Sequence, residues 1–239
     1  MSSWGAFAQK SDPDPIEFVR VAKRAGGIRV LARLGPADRL AYETLVATVA
    51  PTIEERLTPV VVANRALPGM GIRLEPWPQA RRRFSRIVRR LARSARLIVT
   101  ADIRDCYGSI RPAVVVCALR NLGCEPEHAD VLGRLLSSLE DRGVRGLPVG
   151  PDPSAVVANA VLASVDAALG RLGLAHARWV DDVFVGAQTE VQAHRIIDRL
   201  TTAASEIGLR LAENKTKIVE ADDFAPVWLS VGGGVERRL

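Results

Sequence analysis

Two adjacent carboxylates, Asp181 and Asp182, interrupt an apolar run in His176-Ala-Arg-Trp-Val-Asp-Asp-Val-Phe-Val-Gly186. Apolar residues lead up to the pair and away from it, so the segment reads as two short strands joined at an acidic hairpin tip. Burying a carboxylate without a partner is costly, so the fold must bring a cation or polar groups to that tip. A second acid has a comparable setting. Leu97-Ile-Val-Thr-Ala-Asp102-Ile-Arg-Asp105-Cys-Tyr107 is a β-rich run whose last inward-facing residue is Asp102. Two strands that each deliver carboxylates to one sheet edge can gather them around two divalent cations about 3.5–4 Å apart, an arrangement suited to in-line phosphoryl transfer. An Asp-Asp pair between strands is also what an ordinary polar turn looks like, so the neighbouring segments have to decide.

Those segments fall in a consistent order. Arg145-Gly-Leu-Pro-Val-Gly-Pro-Asp-Pro-Ser154 precedes an Ala/Val-rich stretch to Asp166, and Ile207-Gly-Leu-Arg-Leu-Ala-Glu-Asn-Lys-Thr216 follows the hairpin. Near the start lie Val21-Ala-Lys-Arg-Ala-Gly-Gly-Ile-Arg-Val30, Leu34-Gly-Pro-Ala-Asp-Arg-Leu-Ala-Tyr-Glu-Thr-Leu45 and Pro51-Thr-Ile-Glu-Glu-Arg-Leu57. Together with Trp179-Val-Asp-Asp182, this pattern resembles the reverse transcriptase family over nearly the whole chain. Trp179 stands where the family usually has Tyr or Phe. Val149 stands where many members carry Gln. With Asn64-Arg65 and the Trp77 to Phe84 spacing, the pattern is most similar to the bacterial Abi-like, defence-associated branch.

The resemblance implies an α+β right-hand polymerase with fingers and palm, an antiparallel palm sheet backed by helices, and the acids on its open face. It divides the chain into an arm and fingers region over residues 1–96 and a palm over residues 97–239. It implies RNA-directed DNA synthesis, in which dNTPs are added to a primer 3′-hydroxyl on an RNA template. Two Mg²⁺ ions, or Mn²⁺, would sit among Asp102, Ile103, Asp181 and Asp182, one activating the 3′-hydroxyl and the other neutralising pyrophosphate. Lys215 becomes the general acid. Asp105, Cys106, Tyr107, Val149 and Gly150 become nucleotide-binding, with Tyr107 closing off the sugar 2′ position. Val149 has no polar head to bond the sugar, so discrimination would rest on Tyr107 and on backbone near Gly150. Lys23 and Arg29 would hold the triphosphate, a task that suits a point charge and a planar fork, although a solvated basic turn has the same composition. Trp179 would either pack under the hairpin or support a primer terminus. Val227-Trp-Leu-Ser-Val-Gly-Gly-Gly234 resembles a primer-grip hairpin, and with five residues after it a thumb domain has no room. A protein partner or a second copy would then replace the thumb. Template-independent or protein-primed DNA synthesis, or a catalytically silent nucleic-acid-binding subunit, are the competing readings.

Composition sets further bounds. The chain has 239 residues, 48% of them hydrophobic, enough to bury a real core in one or two domains. Its three cysteines, Cys106, Cys117 and Cys124, lack zinc-type spacing. No apolar leader is evident, and the most apolar stretch, Ala155 to Leu169, is broken by Asn159, Ser164 and Asp166. These features predict a cytoplasmic protein with reduced thiols and no membrane span.

The net charge of +6 is unevenly spread, with eight arginines between Arg81 and Arg96. Phe84, Ile87, Val88, Leu91 and Ala95 recur at spacings of three and four, so the segment predicts an amphipathic helix directly before the first acidic strand. Arg82, Arg86, Arg89 and Arg93 on its basic face are candidate phosphate contacts along a nucleic acid, or else an ordinary solvated surface. Pro68-Gly-Met-Gly71 and Glu75-Pro-Trp-Pro78 read as turns, and Met1 to Pro15 as a frayed or loosely docked arm. From Leu97 onward the order is strand, helix (Pro112 to Leu122), helix (Glu127 to Leu139), loop, long helix, hairpin, helix (Thr189 to Ile207), and a short strand at Lys217 to Glu220. Strands and helices so ordered suit an α+β layer structure.

Overall fold

The computed structural model describes residues 14–22 and 27–224. An antiparallel pair, β1 (Glu17–Ala22) and β2 (Ile28–Arg33), comes first, followed by α1 (Pro36–Arg56) and α2 (Trp77–Ser94). Strand β3 (Leu97–Asp102) then leads into the single turn α3 (Cys106–Ser109), α4 (Pro112–Asn121), α5 (Pro126–Asp141) and α6 (Asp152–Gly170). The hairpin β4 (His176–Trp179) and β5 (Asp182–Ala187), α7 (Glu190–Glu206) and β6 (Lys217–Glu220) complete the described chain. The sheet runs β4-β5-β3-β6 with every neighbour antiparallel.

Period-two alternation sorts the sheet residues onto two faces. Leu97, Val99, Ala101, Val183 and Val185 join the main core with buried residues of α1, α4, α5, α6 and α7. Ile98, Ala177, Trp179 and Phe184 form a second core with Phe84, Val88 and Leu91 of α2 and with Phe224. The second face is therefore not open along its length, contrary to the sequence expectation. Helix α2 covers β4 and β5, because the Phe84 ring lies 5.1 Å from Trp179 and 5.4 Å from Phe184. Such spacings suit attractive aromatic contact. Trp179 is 3% exposed and takes the packing role.

Helix α2 also starts earlier than expected. Pro76 caps it, and Trp77 and Pro78 form its first turn, since Pro at the first helical positions loses no hydrogen bond. Helix α6 is buried on nearly every side. Among the described residues it is long and apolar enough to cross a membrane by length and composition, yet 78% of that stretch is buried inside the protein. Its small side chains let α1, α4 and α7 pack around it. Of the polar residues in that run, Asn159 and Asp166 are buried in internal contacts, whereas Ser164 is exposed and donates to the Val161 carbonyl of its own helix. Asp14, within the arm that the sequence leaves loose, is docked: its carboxylate accepts from the Ala37 N–H at 2.8 Å, at the start of α1. The three cysteines are unbridged.

Candidate active site

The acids meet because β3 and β5 are neighbours in register. Asp102 pairs with Asp182 across the ladder, so both project from the same face, beyond the cover of α2. The hairpin turn is made by Val180 at φ 58°, a left-handed conformation that costs a β-branched residue more than glycine. That turn delivers Asp181 to the same end of the sheet. The Ile103 N–H donates to the Asp181 carbonyl at 3.1 Å, and the Ala212 N–H donates to the Asp102 carbonyl at 2.8 Å. Asp102 and Asp181 are buried, at 8% and 7% exposure, and Asp182 is half-buried.

Lys215, at the end of a 3₁₀ turn over Glu213–Lys215, donates from Nζ to Asp102 Oδ2 at 2.9 Å. Its pKa is raised chiefly by that hydrogen bond, which outweighs the lowering by desolvation, with smaller upward contributions from the charges of Asp102, Asp181 and Asp182. The ammonium therefore stays protonated through neutral pH.

These groups lie in an open cleft of about 1030 Å³. Arg29, Asp102, Ile103, Asp105, Cys106, Tyr107, Val149, Gly150, Asp181, Asp182 and Lys215 all line it, with Ala63, Asn64, Trp77 and Asp152. Eleven residues singled out from the sequence thus line one cleft. Lys23 and the segment Val227 to Gly234 lie outside the described residues.

Three further contacts fasten the walls of the cleft. The Leu147 N–H donates to the Tyr107 carbonyl at 2.9 Å, and the Ala32 N–H of β2 donates to the Val149 carbonyl at 3.1 Å. The loop 145–150 therefore ties the first acidic segment to the β1–β2 hairpin. Gly146 has φ 63° and its Cα faces the Tyr107 carbonyl so closely that a Cβ would collide with it. Ser154 Oγ donates to the Pro148 carbonyl at 2.6 Å and lies 3.0 Å from the Tyr42 hydroxyl. Tyr42 and Ser154 were missed from sequence, because an aromatic on the apolar face of a helix looks like plain core. Burial raises the Tyr42 pKa well above the ordinary phenol value. Arg145 and Asp105 approach to 3.6 Å at the rim, but both are largely exposed, so that pair contributes little.

The arginines of α2 divide into two sets. Arg83 donates to Glu75 at 2.7 Å and to the Val62 carbonyl at 2.8 Å, and Arg81 lies 5.9 Å above the Phe84 ring. Arg82, Arg86, Arg89, Arg90 and Arg93 face outward and pair with no acid among the described residues. They do not line the cleft.

Asp102, Asp181 and Asp182 supply hard oxygen donors at one sheet edge, with the Ile103 backbone beside them, and that donor chemistry fits Mg²⁺. Among the described residues no three acidic, histidine or cysteine side chains are already gathered into a metal-holding group. The Asp102 carboxylate is engaged by Lys215 instead.

Paired acidic strands on an antiparallel sheet backed by helices define a polymerase-type palm, and the reverse transcriptase (RNA-dependent DNA polymerase) profile matches residues 23–227. The chain belongs to the reverse transcriptase family. Members of the family are RNA-directed DNA polymerases that bind an RNA template and generally use divalent cations such as Mg²⁺. Among solved structures, telomerase from Candida albicans, in complex with a TWJ fragment of telomeric RNA, is similar with a TM-score of 0.58 at 12% identity. The match covers 92% of this chain and 43% of that one, so the present chain spans less than half of the telomerase polypeptide. At that identity the likeness is one of fold. Comparison with curated proteins finds no sequence match.

Proposed function

We propose that the protein is a cytoplasmic RNA-directed DNA polymerase that extends a primer 3′-hydroxyl with dNTPs. One observation carries this reading: Asp102, Asp181 and Asp182 stand at one sheet edge in a cleft that Tyr107, Val149 and Gly150 also line. Two Mg²⁺ ions, or Mn²⁺, held by Asp102, Ile103, Asp181 and Asp182, would supply Lewis-acid stabilisation of charge on the transferring phosphate and on pyrophosphate. The remaining work falls to the chain itself. Lys215 holds a proton on Nζ at neutral pH and gives it to the departing pyrophosphate. Arg29, with Lys23, binds the triphosphate. Tyr107, its carbonyl held by Leu147, presents a fixed ring against the sugar, and Val149 adds only apolar contact there. Asp105 and Cys106 shape the turn beneath the nucleotide.

Residues 1–96 would serve as arm and fingers and 97–239 as palm. Arg82, Arg86, Arg89 and Arg93 would contact phosphates of the template or product outside the cleft. Val149 in place of the common Gln, with Asn64-Arg65, supports assignment to the Abi-like bacterial branch and hence a role in anti-phage defence.

The test is incorporation of labelled dNTPs with Mg²⁺, with and without a primed RNA template, comparing wild type with Asp181→Ala/Asp182→Ala. Template-dependent product that disappears in the variant is the expected result. Product made equally well without template would move the reaction to untemplated or protein-primed synthesis. Equal product from both proteins would remove these acids from the chemistry.

A further inference from the structure

Arg178, in the strand leading to the acidic turn, is the largest fully buried side chain among the described residues. All three of its guanidinium nitrogens donate to internal acceptors. Nε donates to both carboxylate oxygens of Asp166 on α6 at 3.0 Å, and Nη2 donates to Asp166 Oδ2 at 2.8 Å. Nη1 donates to Asn159 Oδ1 at 2.8 Å and to the Val180 carbonyl at 2.8 Å. Asn159 Nδ2 in turn donates to the Ala63 and Asn64 carbonyls at 3.0 and 3.1 Å. The Arg178 main chain also pairs with that loop: its N–H donates to the Val60 carbonyl at 2.8 Å, and its carbonyl accepts from the Val62 N–H at 3.0 Å.

Two non-glycine residues in left-handed backbone, Asn64 and Val180, each at φ 58°, therefore have their carbonyls held by one buried network. Both line the cleft, Asn64 on one wall and Val180 immediately before Asp181. Strained backbone persists where its surroundings over-determine it, and a planar five-donor fork anchored on a carboxylate is suited to do so. A charge pair this deep has poor value as a stabiliser, because desolvation offsets most of the attraction, so a positional role better accounts for the arrangement.

We propose that Arg178, anchored by Asp166 and extended by Asn159, is a positioning residue that fixes the Val180 turn and the 63–64 loop as one unit, setting where Asp181 stands. The inference rests on the reading of Asp181 as part of the reaction centre, and its test separates the two.

Two variants of the full chain are compared with wild type. Arg178→Lys keeps the charge on Asp166 but lacks the fork that reaches Val180 and Asn159 together. Arg178→Met/Asp166→Leu replaces the ion pair by apolar side chains, an exchange that buried pairs often tolerate. The readouts are thermal midpoint, kcat and KM for dNTP, primer–template affinity, and residue-resolved amide exchange at Ile103, which follows β3 and donates to the Asp181 carbonyl, against Val99 within β3. A displaced acid costs rate rather than binding, so we expect kcat to fall by roughly 10²-fold with KM and affinity unchanged. Ile103 should exchange about tenfold faster while Val99 does not change. Folded variants that keep kcat and Ile103 protection overturn the proposal, as does a loss of kcat with Ile103 protection intact. Failure of both variants to fold makes the network a determinant of the fold and also overturns it. Should wild type make no DNA, the proposed function is what falls, and exchange at Ile103 alone decides the positioning role.

Discussion

Two cation–carboxylate pairs serve the acidic end of the sheet, and they are built in opposite ways. Arg178 and Asp166 have side chains 0% and 3% exposed and share three hydrogen bonds. Lys215 and Asp102 are 58% and 11% exposed and share a single contact of 2.9 Å. The first pair uses a planar fork whose three nitrogens all donate to buried acceptors, which restricts it to one geometry. The second uses a point charge on a flexible stem, which can leave when a stronger partner for the carboxylate arrives. The arginine pair is thus built for one fixed geometry and the lysine pair for one that can change.

The largest effect should come from breaking the buried pair on one side only. Asp166→Ala leaves the guanidinium charged and desolvated, at an expected loss of about 3–5 kcal/mol. Urea unfolding with an unchanged m-value and a lower midpoint would register it. Arg33→Ala, which removes the exposed Arg33–Glu17 pair, should shift the same midpoint by no more than about 0.5 kcal/mol. Similar losses from the two would mean that burial is not what distinguishes them.

Lys215→Ala sharpens the contrast from the other side. The lysine is half exposed, so the urea midpoint should barely move, while the incorporation rate falls by about 10²-fold if Nζ is the proton donor. A variant that is destabilised as much as Asp166→Ala would make the two pairs alike. Rapid-quench measurement of single-nucleotide addition isolates the step that should slow.

The two pairs also differ in how much of each the sequence discloses. Asp181-Asp182 and Asp102 lie in short strand-like segments whose residue types carry the signal, and Lys215 lies in a segment legible through its resemblance to the family. The β3–β5 register then needs only ordinary strand pairing to bring them together. Arg178 and Asp166 are twelve residues apart on a strand and a helix, and nothing local links them. A usable sign was present: each is a lone charge of opposite sign inside an otherwise apolar run, and such charges are seldom buried unless paired. Trp77-Pro78 misled for a different reason, since proline between turn-like residues looks the same whether it ends a loop or opens a helix. The cover of α2 over the second sheet face depends on tertiary packing of Phe84 against Trp179 and Phe184, which no periodicity within α2 specifies.

The arginines of α2 extend the same comparison to the surface. Arg83 is committed to Glu75, whereas Arg82, Arg86, Arg89 and Arg93 face solvent. If those four contact phosphates, replacing them with Gln should reduce the slope of log K against log salt by about 0.7 per lost contact on a single strand. Fluorescence anisotropy with one oligonucleotide between 50 and 200 mM salt, values at which such slopes separate by roughly tenfold or more in affinity, measures this directly. Arg83→Gln should leave the slope unchanged and lower stability instead. An unchanged slope in the fourfold variant would make that face a solvated surface only.

The smallest effect concerns protons rather than contacts, and it distinguishes burial from pairing as the origin of a raised pKa. Tyr42 is raised chiefly by burial, Lys215 chiefly by its hydrogen bond to Asp102. In each case the folded value lies above the unfolded one, near 10 for tyrosine and 10.4 for lysine. Below those values both states hold the proton and the contribution is complete. Above them the unfolded chain releases a proton that the folded chain retains, so stability falls as pH rises towards the folded value. For the fully buried Tyr42 the slope should approach about 1.4 kcal/mol per pH unit, and for the half-exposed Lys215 it should be shallower because solvent screens the pair. Tyr42→Phe should therefore flatten the alkaline limb of a stability–pH curve between about pH 10 and 11.5, and Lys215→Met should leave most of it in place. The reverse ranking would mean that the cleft pair, not the buried phenol, governs the alkaline response, and that Lys215 is held more firmly than its exposure implies.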